Sequence, residues 1–126
     1  MGRHKRILVV DDEAPIRRVL ELKLKNGGYE VLLAEDGEAG LRIIESEKPD
    51  AVVTDINMPR MDGKQLCEAT NHLKIERTFL TIIMTARIFP DEEQWITAMQ
   101  DTVFIEKPFS PSAMLECIDQ YFGVKR

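Results

Sequence analysis

Chemically capable residues stand directly behind short apolar runs in this chain. Asp11-Asp12-Glu13 follow Ile7–Val10, Asp55 follows Ala51–Thr54, Thr85 follows Leu80–Met84, and Lys107-Pro108 lie just past Val103-Phe104-Ile105. Glu35-Asp36 follow a further run, Val31–Ala34. If these runs are parallel strands, their carboxyl ends share one edge, where open parallel sheets bind ligands. Three aspartates meeting there would repel one another at low effective dielectric, so they imply a bound cation or strongly shifted pKa values. Mg²⁺ fits best, because it prefers one or two carboxylates plus water and phosphate oxygens. The loop pattern of a dedicated calcium site is absent.

Lys107 and Thr85 add an ammonium and a hydroxyl, both suited to phosphate oxygens. Neither the G-x-x-x-x-G-K-[ST] loop nor the G-x-G-x-x-G fingerprint occurs, so a nucleotide cradle has no support. The phosphate is then expected on the protein itself. A carboxylate attacks phosphorus when a metal and a cation neutralise the charge beside it, and Asp55, central in the sheet, is the best-placed nucleophile.

Elements must position these groups. The five apolar runs are nearly continuous rather than alternating, which predicts parallel strands buried on both faces. Helical patterns separate them. The first opens with Pro15, carries Ile16, Val19, Leu20 and Leu24, and stops at Gly27-Gly28. The second runs from about Gly37 through Leu41, Ile43 and Ile44, and the third sets Leu66, Ala69 and Leu73 on one face. A fourth is expected from Asp91, capped with Gln94 and carrying Trp95, Ile96 and Met99. The fifth has Ser110 as N-cap, Pro111 just inside, and Met114, Leu115, Ile118, Tyr121 and Phe122 on a stripe. Strict strand-helix alternation predicts an open α/β fold with helices on both faces of the sheet.

Taken together in this order, Asp11-Asp12, Asp55-Ile56-Asn57-Met58-Pro59 with Met61-Asp62-Gly63, Thr85-Ala86 and Lys107-Pro108-Phe109 resemble the response-regulator receiver domain of two-component signalling systems. The resemblance runs from about Arg6 to Phe122. It implies a doubly wound, flavodoxin-like five-stranded parallel sheet in the order 2-1-3-4-5. It implies that Asp55 accepts a phosphoryl group from a histidine kinase or phosphotransfer protein in a phosphorelay. Asp12, Asp55 and the carbonyl of Asn57 would hold Mg²⁺ directly, and Asp11 through water. Lys107 and the N–H of Ala86 would bind the phosphoryl oxygens. Thr85 would swing toward them with Phe104 following inward, remodelling the face of the fourth helix, fifth strand and fifth helix for a downstream protein or an output domain. Asn57 and Arg87 would tune the phosphoryl lifetime. Two positions depart from the family pattern: Phe104 lacks the hydroxyl of a frequent tyrosine, and Gln100-Asp101 replace a common Gly-Ala.

Singly, each residue has a plainer use: Asp11 or Asp12 as a helix cap, Thr85 as a strand end, Lys107 as a turn residue. Gly63 is expected to serve a turn needing permissive backbone angles, and Pro59 to stiffen the loop. A D-x-D phosphohydrolase would need a second acid where Asn57 stands. A pseudo-receiver would have lost an acidic residue or the lysine. The reading is therefore a phosphoacceptor switch, at most dephosphorylating itself, rather than an enzyme with a substrate.

Composition sets the outer bounds. The 126 residues suit one domain spanning 1–126, with its core at about 6–122. Of 17 Lys and Arg, five (Arg3, Lys5, Arg6, Lys125, Arg126) lie at the ends, so the body sets 12 against 22 Asp and Glu. Such an acidic surface disfavours direct nucleic-acid binding. No apolar run approaches a bilayer span and no signal peptide is visible, so a cytoplasmic protein without membrane insertion is expected. Cys67 and Cys117 are isolated and expected to be reduced thiols, and His4 and His72 lack partners for catalysis.

Overall fold

The structure, a computed structural model, describes residues 4–86 and 99–126. Five parallel strands, β1 (Arg6–Val10), β2 (Glu30–Ala34), β3 (Ala51–Asp55), β4 (Leu80–Thr85) and β5 (Thr102–Glu106), form one sheet in the order β2-β1-β3-β4-β5. The strand order reverses between β1 and β3, so their carboxyl ends, Val10 and Asp55, flank the crevice where such folds bind ligands. The central strands β3 and β4 are buried throughout, as their apolar runs predict. Edge strands β2 and β5 are not: Leu33 and Val103 reach solvent, because an edge strand has one neighbour to cover it rather than two.

Alternation along the strands assigns each helix to a face. Ile7 and Val9 of β1, Val53 of β3 and Ile82 and Met84 of β4 pack with Leu20 and Leu24 of α1 (Ala14–Asn26) and Met114 and Ile118 of α5 (Pro111–Phe122). Leu8, Val10 and Val52 point the other way, onto Ile44 of α2 (Gly37–Glu47) and Leu66 of α3 (Gly63–Thr70). Helices thus cover both faces.

The terminal signals expected for α1 and α5 are in place, and α2 and α3 carry caps not among those expected. Pro15 lies in the first turn of α1, Gly28 takes φ 95° just past it, and Ser110 accepts the Ala113 N–H at 3.1 Å at the start of α5. Asp36 caps α2 through the Ala39 N–H, and Asp62 forms a reciprocal capping box with Gln65 on α3. The N-cap of α1 is Glu13, without a side-chain cap bond, so neither Asp11 nor Asp12 fills that place.

The third helix differs from expectation. It ends at Thr70, and its buried stripe is Gly63, Leu66, Cys67 and Thr70 rather than Leu66, Ala69 and Leu73. Thr70 turns its hydroxyl back onto the Leu66 carbonyl at 2.9 Å, a local bond that competes with continued helix. After Asn71 the chain restarts in a single turn, α4 (Leu73–Glu76). The helix expected from Asp91, with Gln94, Trp95 and Ile96, lies outside the described residues, and so does Arg87; Met99 occupies a bend ahead of β5.

Candidate functional site

At the end of β1, Asp11 is fully buried and held by three hydrogen bonds. Its N–H donates to the Ala34 carbonyl at 3.1 Å, its Oδ1 accepts the Glu13 N–H at 2.8 Å, and its carbonyl accepts from Arg17 Nη1 at 2.6 Å. Its other carboxylate oxygen, Oδ2, is buried without a hydrogen-bond partner among the described residues. A buried anionic oxygen left in this way is costly unless a proton or cation meets it. Burial, with the nearby Asp55 charge adding to it against the Glu13 hydrogen bond, pushes the Asp11 carboxyl up to about 6. Asp12 follows in the loop and is exposed.

Asp55 ends β3, 9% exposed, opposite Met84 of β4. One oxygen from each of Asp11, Asp12 and Asp55 lies within 4.8 Å of the others, close enough for a single cation to be shared. Glu35 and Asp36 stay out of this cluster: Glu35 is exposed, and Asp36 is committed to the α2 cap and to Arg60 at 3.3 Å.

Lys107 reaches this cluster from beyond β5. Its Nζ donates to Asp55 Oδ1 at 3.0 Å, and its backbone N–H donates to the Thr85 carbonyl at 2.7 Å, fastening the loop to β4. Burial opposes its charge, yet the hydrogen bond and negative charge of Asp55 outweigh that and hold the ammonium above its usual range. The Lys107–Pro108 peptide is cis. Thr85 ends β4, buried, and Ala86 follows it, exposed. Phe104 of β5 sits beside Ile83 and packs, half-buried, with Ile56 against Cys67 and Ile83.

The loop after Asp55 is shaped by close approach. A Cβ on Gly63 would sit 2.5 Å from the Asp55 carbonyl oxygen and 2.9 Å from Ile56 Cα, so glycine is needed there for room and not for the turn angles expected of it. The angle that glycine normally supplies falls instead on Arg60, at φ 68°, inside a tight turn closed by the Met61 N–H on the Pro59 carbonyl at 2.8 Å. Asn57 is exposed in this loop.

Several structurally telling residues carry no local sequence signal. Lys74, in α4, is 4% exposed; it donates to the Gln100 carbonyl, to the Asp101 carbonyl at 3.2 Å and to Thr102 Oγ1 at 3.1 Å. It also stacks on Phe79, 4.7 Å from the ring centroid, with Arg77 stacked at 4.8 Å. Tyr29 donates to Asp119 at 2.6 Å, and Arg126 grips the same carboxylate at 2.7 Å and the Gly27 carbonyl at 2.6 Å. Nothing in their spacing along the chain announces these contacts.

With this geometry in place, the class is that of two-component signalling domains. The family model described as response regulator receiver domain matches residues 7–119, and the chain belongs to that family. The chain is 42% identical over 112 residues to a probable transcriptional regulator, ycf27, of Cyanophora paradoxa, covering 87% of this chain and 45% of that one. It is 36% identical to the alkaline phosphatase synthesis transcriptional regulatory protein PhoP of Bacillus subtilis, over 86% of this chain and 44% of the relative. The chain therefore spans about half the length of the curated relatives it matches. Among solved structures, a CheY-like receiver domain from Methanospirillum hungatei superposes with TM-score 0.88 at 30% identity, covering 96% of this chain and 95% of that one. The chemotaxis protein CheY4 of Vibrio cholerae gives TM-score 0.85 at 28% identity, over 94% and 98%. The chain is thus a response-regulator receiver domain with a CheY-like fold. No described helix is long and apolar enough to cross a membrane.

Proposed function

We propose that this receiver domain acts as a phosphoacceptor switch, taking a phosphoryl group on the Asp55 carboxylate from a phosphohistidine of a kinase or phosphotransfer protein. The observation that carries this reading is the meeting of Asp11, Asp12 and Asp55 oxygens within 4.8 Å of one another, with Lys107 Nζ on Asp55. In the transfer, an Asp55 oxygen bonds to phosphorus while the phosphorus–nitrogen bond breaks, its electron pair staying on the donor's imidazole.

The acidic cluster fits Mg²⁺: hard oxygen donors converge, and the orphaned Asp11 Oδ2 has a buried charge to share. Asp12, Asp55 and the Asn57 carbonyl are the residues to hold it, with Asp11 behind them. When bound, the ion neutralises charge that builds on the phosphoryl oxygens. Lys107 exchanges Asp55 for a phosphoryl oxygen and keeps its charge where the negative charge grows. The Thr85 hydroxyl and the Ala86 N–H, at the end of the adjacent strand, bind another oxygen.

The switch is a population shift: contacts available only to phosphorylated Asp55 favour one placement of Thr85 and Phe104 over another. Its output is an altered protein-binding surface that includes β5 and α5. The 126 residues work as one domain, its only turnover the slow loss of its own phosphoryl group, and it acts in the cytoplasm.

Intact mass after incubation with MgCl₂ and acetyl phosphate tests this. One base-labile phosphoryl group is expected on the parent chain and none on Asp55→Asn. An adduct that survives in Asp55→Asn, or none in the parent, overturns the reading.

A further inference from the structure

Arg17 stands six residues past Asp11, in the first turns of α1, half-buried, and lines a cleft with Ala34 and Glu35 at the carboxyl end of β2. Its guanidinium spends one donor, at 2.6 Å, on the backbone carbonyl of Asp11. That carbonyl belongs to the peptide joining the two neighbouring acids. The Ala34 carbonyl already fixes the Asp11 N–H, and the Glu13 N–H fixes Oδ1. Arg17 therefore completes a set of restraints that leaves Oδ2 as the one Asp11 oxygen without a partner among the described residues. The same carbonyl lies in the peptide whose N–H side belongs to Asp12.

A loop carrying two acids side by side tends to splay them apart. A hydrogen bond from a charged donor to the intervening carbonyl resists that splay without occupying a carboxylate oxygen. Arg18, the next residue, is exposed and adds the same charge to the helix.

We infer that Arg17 is a positioning residue for the acidic cluster, holding the Asp11–Asp12 peptide in the orientation that gathers three carboxylates for a divalent cation. The inference rests on the phosphoacceptor reading of the site.

The test is calorimetric titration with MgCl₂, together with acetyl phosphate labelling, on the parent chain, Arg17→Met, Arg17→Lys and Arg18→Met. Methionine keeps the apolar stem and removes the donor. Arg17→Met is expected to bind Mg²⁺ about tenfold more weakly, the scale of a lost charge-assisted hydrogen bond. Its labelling at saturating Mg²⁺ should stay within about twofold of the parent, as expected when ion binding and not the chemical step is impaired. Arg17→Lys should recover part of the affinity, and Arg18→Met all of it. Unfolding temperature in EDTA shows whether each variant is folded. A folded Arg17→Met with parental Mg²⁺ affinity overturns the assignment, and so does an equal loss in Arg18→Met, which would show that the effect does not depend on the contact with the Asp11 carbonyl. A parent chain that neither binds Mg²⁺ nor takes a phosphoryl group would instead remove the phosphoacceptor reading itself.

Discussion

Lys107 Nζ and Asp55 Oδ1 lie 3.0 Å apart across the end of β4, though 52 residues separate them in the chain. The contact spans three adjacent strands, so it depends on the registers of β3 with β4 and of β4 with β5. Slipping either register by one residue would send one of the two side chains to the opposite face.

Replacing Lys107 with methionine is expected to slow labelling by acetyl phosphate on the order of 10²-fold, the usual effect of losing one donor to developing charge. Mg²⁺ affinity should not fall, because a positive charge leaves the cluster. Single-turnover labelling at saturating Mg²⁺ measures the first, and titration the second.

Asp11 makes the metal-free fold pH-dependent. Its folded carboxyl titrates at about 6, above the ordinary 3.8, so between these values the folded state holds more protons than the unfolded. Stability should therefore fall as pH rises from about 4 to about 6, then stay level. In EDTA at pH 7, Asp11→Asn is expected to unfold at a higher temperature than the parent and to lose most of that slope. Thermal scans across this range decide the point.

Lys74 has the opposite profile. Burial lowers its ammonium to about 8, so stability should rise as pH passes from about 8 toward 10.5, where the unfolded chain still holds the extra proton. Lys74→Met flattens that rise. At pH 7 it strips a donor from the Gln100 and Asp101 carbonyls and is expected to cost about 1–3 kcal/mol in urea unfolding.

Gly63→Ala puts a methyl group 2.5 Å from the Asp55 carbonyl oxygen, which is backbone and yields little. The end of β3 must move, so about 1–3 kcal/mol of stability should be lost. Labelling of Asp55 should slow as well, since small misplacements of a reacting group are expensive. A variant with parental stability and labelling rate would show that the loop gives way instead.

How far the sequence carried this picture can be judged residue by residue. Apolar runs bounded by Asp11, Asp55 and Thr85 located the strands and their shared edge, because a buried parallel strand has few ways to be written. Turn and cap chemistry located α1 and α5, and an amphipathic pattern located α2. The break at Thr70 was hidden because it rests on a hydroxyl folding back on its own helix, which competes with a good apolar pattern through Leu73. Lys74 carries no signal of its own in the sequence, and only the packing of α4 against the start of β5 reveals its partners. The reason for Gly63 was also invisible, since a close approach between separate loops leaves no mark on neighbouring residues. Arg17 fell between these cases: its place on α1 was legible, its partner was not.

The tether from Lys74 to residues 100–102 also gives β5 a mechanical character. Its amino end is clamped at Gln100, Asp101 and Thr102, while its carboxyl end carries Lys107. The strand is therefore held from both ends, by a buried ammonium at its foot and, through Lys107, by the Asp55 carboxylate at its tip. One lysine belongs to the framework and the other to the site, and the strand is the bar between them.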